Sequence, residues 1–178
     1  AAGVVGMGGA AFPAAVKLGA SKHAAIHTLI INGAECEPYL SCDDRLMREH
    51  PLQVVEGIRI MMRALGTAKA IVVIEDNKPL AASSISAACK HHSDLTVVTV
   101  PTRYPMGSEK QMIKTVTGCE VPAGGLGADI GVMVHNIGTA YAVHRAVRLG
   151  KPLISRIVTV SGGAIAKPMN LQVRIGTP

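Results

Sequence analysis

The chain has 178 residues, 48% of them hydrophobic, with a formal charge of +6 and a pI near 9.4. Its length suits one ordinary domain with little to spare, and no apolar run reaches the roughly 18 residues needed to cross a bilayer. With one Phe, three Tyr and no Trp, the core must be aliphatic, and basic residues scattered singly without interleaved aromatics exclude a nucleic-acid-binding surface.

The first segment is glycine-rich, with Gly3, Gly6, Gly8 and Gly9 ahead of Pro13. Glycine permits positive φ and close backbone approach. Pro13 suits the start of a helix that carries Lys17 one turn in. Free backbone N–H groups beside a lysine are chemistry for holding a phosphate. Gly6-x-Gly8-x-x-Ala11 matches a dinucleotide fingerprint only superficially, because no strand precedes it. The chain opens on Ala1 with no charged, apolar leader and stops at Gly176-Thr177-Pro178 without a closing element, so it is expected to be part of a longer protein.

A first strand is predicted over 27–33, "HTLIING", and a loop rich in carboxylates follows it. Val54, Val55, Ile58, Met62 and Leu65 then recur at helical spacing over 51–66, with Pro51 in the first turn and Gly66 as the stop. Further strands are predicted over 69–76, 95–101 and 129–136, and further helices over 78–92, 108–118 and 137–150. This alternation specifies an α/β fold, a mostly parallel Rossmann-like sheet with helices on both faces. Continuous apolar strands fit a sheet covered on both sides. After Gly150 the helical period is lost, so residues 1–150 are expected to form one domain and 151–178 the first hairpin of a second, β-rich one.

Ligands of open parallel sheets bind beyond the carboxyl ends of the strands. The residues expected there are Asn32, Glu35 and Glu37 after the first strand, and Glu75 to Lys78 after the second. Tyr104, Gly107 and Glu109 follow the third strand, and His135, Asn136 and Thr139 the fourth. Carboxylates and Asn accept hydrogen bonds from sugar or ribityl hydroxyls. Glu35, Glu37, Asp43 and Asp44 also form a set that Mg²⁺ or Ca²⁺ could use, although Asp43 and Asp44 precede "RLMRE" as helix caps do. Cys36, Cys42, Cys89 and Cys119 lack Cys-x-x-Cys spacing and read as reduced thiols. There is no Gly-x-Ser-x-Gly and no evident nucleophile–base pair, so no catalytic residue is assigned.

Five motifs, "GMGGAAFP…VKLG", "LIINGAECEPYLSCDDRLM", "IEDNKP", "PTRYPMGSEKQMI" and "ADIGVMVHNIGTAYAV", occur in the order seen in the RnfC family of Rnf-type electron-transport complexes, and the chain resembles that family along essentially its whole length. The family is similar in turn to the flavin-binding, NADH-oxidising subunit of respiratory complex I. A cobalamin-reductase subunit shares the architecture and is the nearest rival, and a docking module without flavin is a further alternative. The resemblance implies FMN as cofactor and NAD(H) as substrate. It implies a β-grasp domain beginning near residue 151, and [4Fe-4S] clusters on cysteines outside these residues. It also implies partner subunits of a membrane-bound, ion-translocating complex, with a peripheral position on the cytoplasmic side of the bacterial inner membrane and no span of its own. The cofactor-binding positions it implies are Gly6, Gly8, Gly9, Phe12, Lys17, Asn32, Glu35, Glu37, Tyr104, Gly107, Glu109, His135, Asn136 and Thr139. The chain departs from the pattern where Ala11 replaces Gly, Ala34 and Ser108 each replace an acidic residue, His135 replaces Asn, and Leu18-Gly19 replace a stacking aromatic.

Overall fold

Strands β1 (Thr28–Gly33), β2 (Ala70–Glu75), β3 (Leu95–Val100) and β4 (Val132–Asn136) form a parallel sheet in the order β3-β2-β1-β4. This is a computed structural model, and it describes residues 2–19 and 24–178. Side chains alternate across each strand. Leu29 and Ile31 of β1 pack on one face with Val72 and Ile74 of β2, whereas Ile30 and Val73 pack on the other. The first face is covered by helices α2 (Cys42–Glu49), α3 (Pro51–Leu65), α4 (Pro79–Cys89) and α6 (Ile137–Leu149), and the second by α5 (Glu109–Thr117). Both faces are covered over β1, β2 and β4, which is why these strands read as unbroken apolar runs, whereas Thr96 and Thr99 of the edge strand β3 are exposed.

Helix ends follow their local chemistry. Pro51 sits in the first turn of α3, and Gly66 closes it in the left-handed conformation at φ 71°. Gly118 and Gly150 end α5 and α6 the same way. The fourth strand is shorter than the 129–136 expected from its apolar run. Gly127–Ile130 form a 3₁₀ turn instead, and the Asp129 carboxylate accepts the Leu126 N–H at 2.8 Å. Gly131, at φ 71°, then redirects the chain into β4. A polar side chain bonding to nearby backbone competes with the sheet, and a hydropathy pattern does not register it.

Helices α3 and α6 lie unusually close. A Cβ placed on Gly57 of α3 would overlap the Ala140 carbonyl of α6. Glycine is unfavourable inside a helix by roughly 1 kcal/mol relative to Ala, so its use here reflects contact rather than propensity. The glycine loop, residues 6 to 12, is pinched at its base: Gly6 N–H donates to Phe12 O at 2.8 Å and Ala14 N–H to Val4 O at 2.9 Å. The chain then enters the short helix α1 (Ala14–Gly19). Ala11 within that loop holds φ 50°, in the left-handed region.

The last element is an antiparallel hairpin of β5 (Ser155–Val160) and β6 (Met169–Arg174). It is fastened to the start of α2. Ser41 N–H donates to Thr159 Oγ1 at 3.1 Å, and the Asn170 amide donates to Ser41 O at 3.1 Å. Thr159 Oγ1 in turn donates to Asn170 Oδ1 at 2.8 Å.

Two substitutions test this packing. Gly57→Ala is expected to destabilise by about 3 kcal/mol or more through overpacking, despite the better helix propensity of Ala. Ala11→Gly is expected to stabilise by about 1 kcal/mol by relieving a left-handed non-glycine residue. Chemical denaturation of both variants checks the two signs.

Candidate functional site

The chain runs from β1 outward through β2 to β3, then returns to place β4 on the other side of β1. The loops leaving β1 and β4 therefore diverge and open a crevice between them, which is the topological switch point of a parallel sheet. A cavity of about 520 Å³ lies there, within the usual range for ligand sites of roughly 300–1,000 Å³. Gly8, Gly9, Asn32, Glu35, Glu37, Tyr104, Gly107 and Asn136 line it.

Each wall is positioned by identifiable bonds. Asn32, at the end of β1, accepts the Ala34 N–H at 2.9 Å and donates to Gly107 O at 2.8 Å, tying the loop after β1 to the loop after β3. A Cβ on Gly107 would lie 3.1 Å from Ala34 O and 3.2 Å from Cys36 Sγ, so the two loops meet at van der Waals contact. Asn136 caps α6 by accepting the Gly138 N–H at 2.8 Å, and it donates to Asp43 Oδ2 at 2.7 Å. Met7 N–H donates to the buried Thr139 Oγ1 at 3.0 Å. The glycine loop is thereby set against the N-terminus of α6, where backbone N–H groups and the helix dipole favour an anion.

Glu35 has a structural task as well as a place in the wall. It is buried, and its carboxylate accepts the backbone N–H groups of Asp43 at 3.0 Å and Asp44 at 3.3 Å. It therefore caps α2 from outside the helix, at the first turn, where Ser41 makes no side-chain cap bond. Cys42 Sγ also donates to it at 3.2 Å, and Lys78 Nζ lies 3.9 Å away. Asp43 and Asp44, expected as caps, occupy the first turn instead. Asp44 pairs with Arg48 at 3.2 Å and Asp43 turns toward Asn136. Among the described residues no group of three or more His, Cys, Asp or Glu is arranged to hold a metal ion.

Gly6, Phe12, Lys17, Glu109, His135 and Thr139, expected at the site, do not line the cavity. Lys17 forms a 2.9 Å ion pair with Glu109, joining α1 to the first turn of α5. His135 is buried near Lys17 with no hydrogen-bond partner on Nε2. Gly6 and Thr139 support the glycine loop from below through the bonds above, and Phe12 is half-exposed on that loop. The loop after β2 is divided: Lys78 reaches toward Glu35, whereas Asp76 Oδ1 accepts the Thr102 N–H at 3.0 Å and its hydroxyl at 2.6 Å. Glu75 is completely buried with both carboxyl oxygens unpaired. Sequence reasoning missed Tyr141, Arg145, Lys151 and Arg156, which also line the cavity. They lie in a helix body, a connector and a hairpin rather than at strand ends.

Burial dominates the ionisation of the site. It pushes the Asp43 carboxyl up to about 7, with Glu35 and Glu37 adding repulsion and Asn136 and Arg156 working against it. It raises the Cys42 thiol to about 12, so the thiol keeps its proton and donates to Glu35. It raises Glu75 as well, against the attraction of Lys78. Burial, followed by the charge of Lys17, holds His135 down to about 3, so the imidazole is neutral.

Residues 1–145 match the family described as the Nuo51 FMN-binding domain. The whole chain is 58% identical over 182 residues to the C component of the ion-translocating oxidoreductase complex of Rhodobacter capsulatus and covers 34% of that protein. It is 54% identical over 178 residues to the corresponding component from Pseudomonas aeruginosa, of which it covers 23%. The chain thus spans about a third or less of the length of these relatives. Its fold is also that of one chain in a crystal structure of an NAD+-reducing [NiFe]-hydrogenase in the air-oxidized state. That match has a TM-score of 0.81 and 24% identity, over 99% of this chain and 35% of the other.

Asp43, Glu75 and His135 predict opposing pH dependences. Asp43 binds its proton up to about pH 7 in the folded chain but loses it near pH 4 when unfolded. The folded state thus holds more protons between those values, and the Asp43 contribution to stability falls as pH rises through that window. Glu75 has the same sign. His135 stays neutral in the fold down to about pH 3 but charges below about pH 6.5 when unfolded, so its contribution falls as pH drops. Relative to the parent, Asp43→Asn is expected to give a melting temperature that climbs more steeply from pH 4 to 6.5. His135→Asn is expected to give one that climbs less steeply over the same range. Thermal melts across pH check both slopes.

Proposed function

The chain belongs to the Nuo51 FMN-binding domain family, and from that premise we propose that it is the flavin-holding part of an electron-transfer subunit that moves electrons between NAD(H) and iron–sulfur centres. The observation that carries this reading is the convergence of three elements on one crevice. The glycine loop, the N-terminus of α6 and the Asn and carboxylate loop after β1 all border the cavity at the switch point.

The residues present fit FMN chemically. Gly6, Gly8 and Gly9 offer backbone approach at the helix N-terminus, with Thr139 beneath them, and this end suits a phosphate. Lys17, paired with the Glu109 carboxylate, adds positive charge near that end. Asn32, Glu35, Glu37 and Asn136 supply acceptors, which suit ribityl hydroxyls. Tyr104 exposes ring surface in the cavity wall, where Gly107 also lies, and Phe12 is exposed on the glycine loop. His135, next to Asn136 at the end of β4, is buried and neutral and adds no charge to the surroundings. When bound, FMN supplies acceptance of two electrons from a nicotinamide and their release one at a time, chemistry that belongs to the cofactor. The chain binds and orients it, shields it from water and tunes its surroundings. No side chain has to act as nucleophile or general base.

The same reading extends to the whole protein. Residues 1–150 form the FMN and NAD(H) unit and 151–178 the opening of a β-grasp domain, with [4Fe-4S] clusters carried by other segments. Partner subunits hold the protein at the cytoplasmic side of a bacterial inner membrane, within an ion-translocating complex. The name of the Rhodobacter capsulatus relative, at 58% identity, supports this assembly. Among the described residues no helix is long and apolar enough to cross a membrane.

Gly8→Val separates binding from folding, because a Cβ at Gly8 meets only Asn136 Cβ, at an ordinary 3.5 Å. Fluorescence titration is expected to show saturable FMN binding by the parent, weakened at least about tenfold, or ~1.4 kcal/mol, in Gly8→Val, with the melting temperature held. Equal FMN affinity in the two proteins, or none in either, would sink the reading.

A further inference from the structure

Strand β3 (Leu95–Val100) lies at the edge of the parallel sheet, with β2 on one side and, among the described residues, no strand on the other. The ladder fixes which way its backbone groups point. From the β2 side, Ala70 N–H donates to Asp94 O at 3.0 Å and Asp76 N–H donates to Val100 O at 2.9 Å. Backbone groups alternate in direction along a strand. The even-numbered residues of β3 therefore turn their N–H and C=O toward β2, and Leu95, Val97 and Thr99 turn theirs outward. The Leu95 N–H is taken by His92 O at 3.1 Å, and Pro101, next in the outward series, has no N–H. Among the described residues, the donors left free on this edge are the N–H groups of Val97 and Thr99.

A bare row of N–H and C=O groups recruits another strand, so natural edges are blunted by charge, proline, bulges or a covering segment. Residues 95–100 have no charged side chain, no proline and an unbroken register with β2. Thr96 and Thr99 are exposed, and Val97 and Val98 are partly exposed. The approach is open. Ser86 of α4, with Lys90, His91 and His92 just beyond the helix, borders a groove along Leu95, Thr96 and Val97.

We propose that this edge pairs with the same edge of a second copy of the chain, antiparallel across a two-fold axis, joining two four-stranded sheets into one. An axis normal to the sheet keeps each side of it facing the same way, so odd-numbered residues face odd and even face even. The register that fits is centred on Val98. Val97 then faces Thr99 of the second copy, and each such pair exchanges two N–H···O bonds, which uses every free donor. Leu95 faces Pro101 of the second copy, so the two positions without a free N–H oppose each other. The strand ends fit in charge as well. Asp94 comes opposite Thr102 of the second copy, beside Arg103, and Thr102 is bonded to the Asp76 carboxylate. Lys90 lies at the Asp94 end. Each end therefore sets an acid and a base against an acid and a base. Asp94, Lys90 and Arg103 form no ion pair of their own among the described residues. His91 and His92 add positive charge there only when protonated. An unrelated strand would satisfy the free donors too, but the matching of the donor-less positions and of the end charges is specific to a second copy. None of these residues lines the switch-point cavity, so the pairing goes beyond the function proposed above.

Sedimentation velocity of the 178-residue chain at about 1–200 µM tests it, a range that brackets micromolar affinity. A concentration-dependent monomer–dimer equilibrium is expected, as suits an interface at the small end of the size scale. Thr99→Pro removes an outward donor without touching the β2 ladder, and Thr99→Lys places a charge on the exposed edge. Each is expected to weaken dimerisation at least about tenfold, with the melting temperature of the dilute monomer held. If Thr99→Pro lowers that temperature, Thr99→Lys decides the matter, because the Thr99 side chain is exposed. Val98→Cys checks the register: a non-hydrogen-bonded antiparallel pair has Cα atoms about 4.5 Å apart, within disulfide reach. Cross-linking under mild oxidation is expected in this variant and not in the parent. A parent that stays monomeric at the highest concentration, or a dimer that both Thr99 variants leave intact, would overturn the proposal. In the monomeric case, uptake of a labelled peptide of residues 93–103 would assign the edge to a strand from another protein instead. A Val98→Cys dimer that does not cross-link would overturn the stated pairing.

Discussion

The placement of one carboxylate organises this structure. Glu35 leaves the end of β1, folds back into a buried position and accepts two backbone N–H groups at the start of α2. Free N–H groups at a buried helix end are costly, so α2 and the loop after β1 hold each other in place. Ser41, just before α2, is where the hairpin attaches, and Asp43, in its first turn, is where Asn136 of β4 reaches across. The loop after β1, the helix, the far strand and the hairpin therefore share one junction, and the cavity is the space they enclose.

The sheet order decides where that space opens. With β1 at the centre and the chain diverging to β2 on one side and β4 on the other, the two loops cannot cover the same ground. The near contact of α3 and α6 at Gly57 then brings α6 tight against the layer. A single helix thereby contributes both its anion-friendly N-terminus and Arg145 to the cavity wall.

Both signs of charge line the cavity. Glu35, Glu37 and Asp43 share its wall with Arg145, Lys151 and Arg156, and burial moves Asp43 up to about 7. Glu75 and His135 are the counterpart of that arrangement. Both are buried and have unpaired atoms, and desolvation disfavours the charged form of each.

Local pattern alone determined most of the elements and their alternation of strand and helix. Apolar runs, Pro51, Gly66 and the carboxylate-rich loop announce themselves in short windows, because propensity, capping and burial on both faces act over a few residues. The crevice was legible too, since any parallel sheet collects its loops at the strand ends. What a side chain there is bonded to was not. Glu35 reads as a ligand for hydroxyls, yet it also caps a helix; Lys17 reads as a free cation, yet it pairs with Glu109; and residues 129 to 131 read as strand, yet they turn. Arg145, Lys151 and Arg156 carry no local signal at all. They become neighbours in one cavity wall only when Gly150 reverses the chain and the hairpin docks on α2, and contacts of that kind depend on long-range packing that no short window of sequence contains.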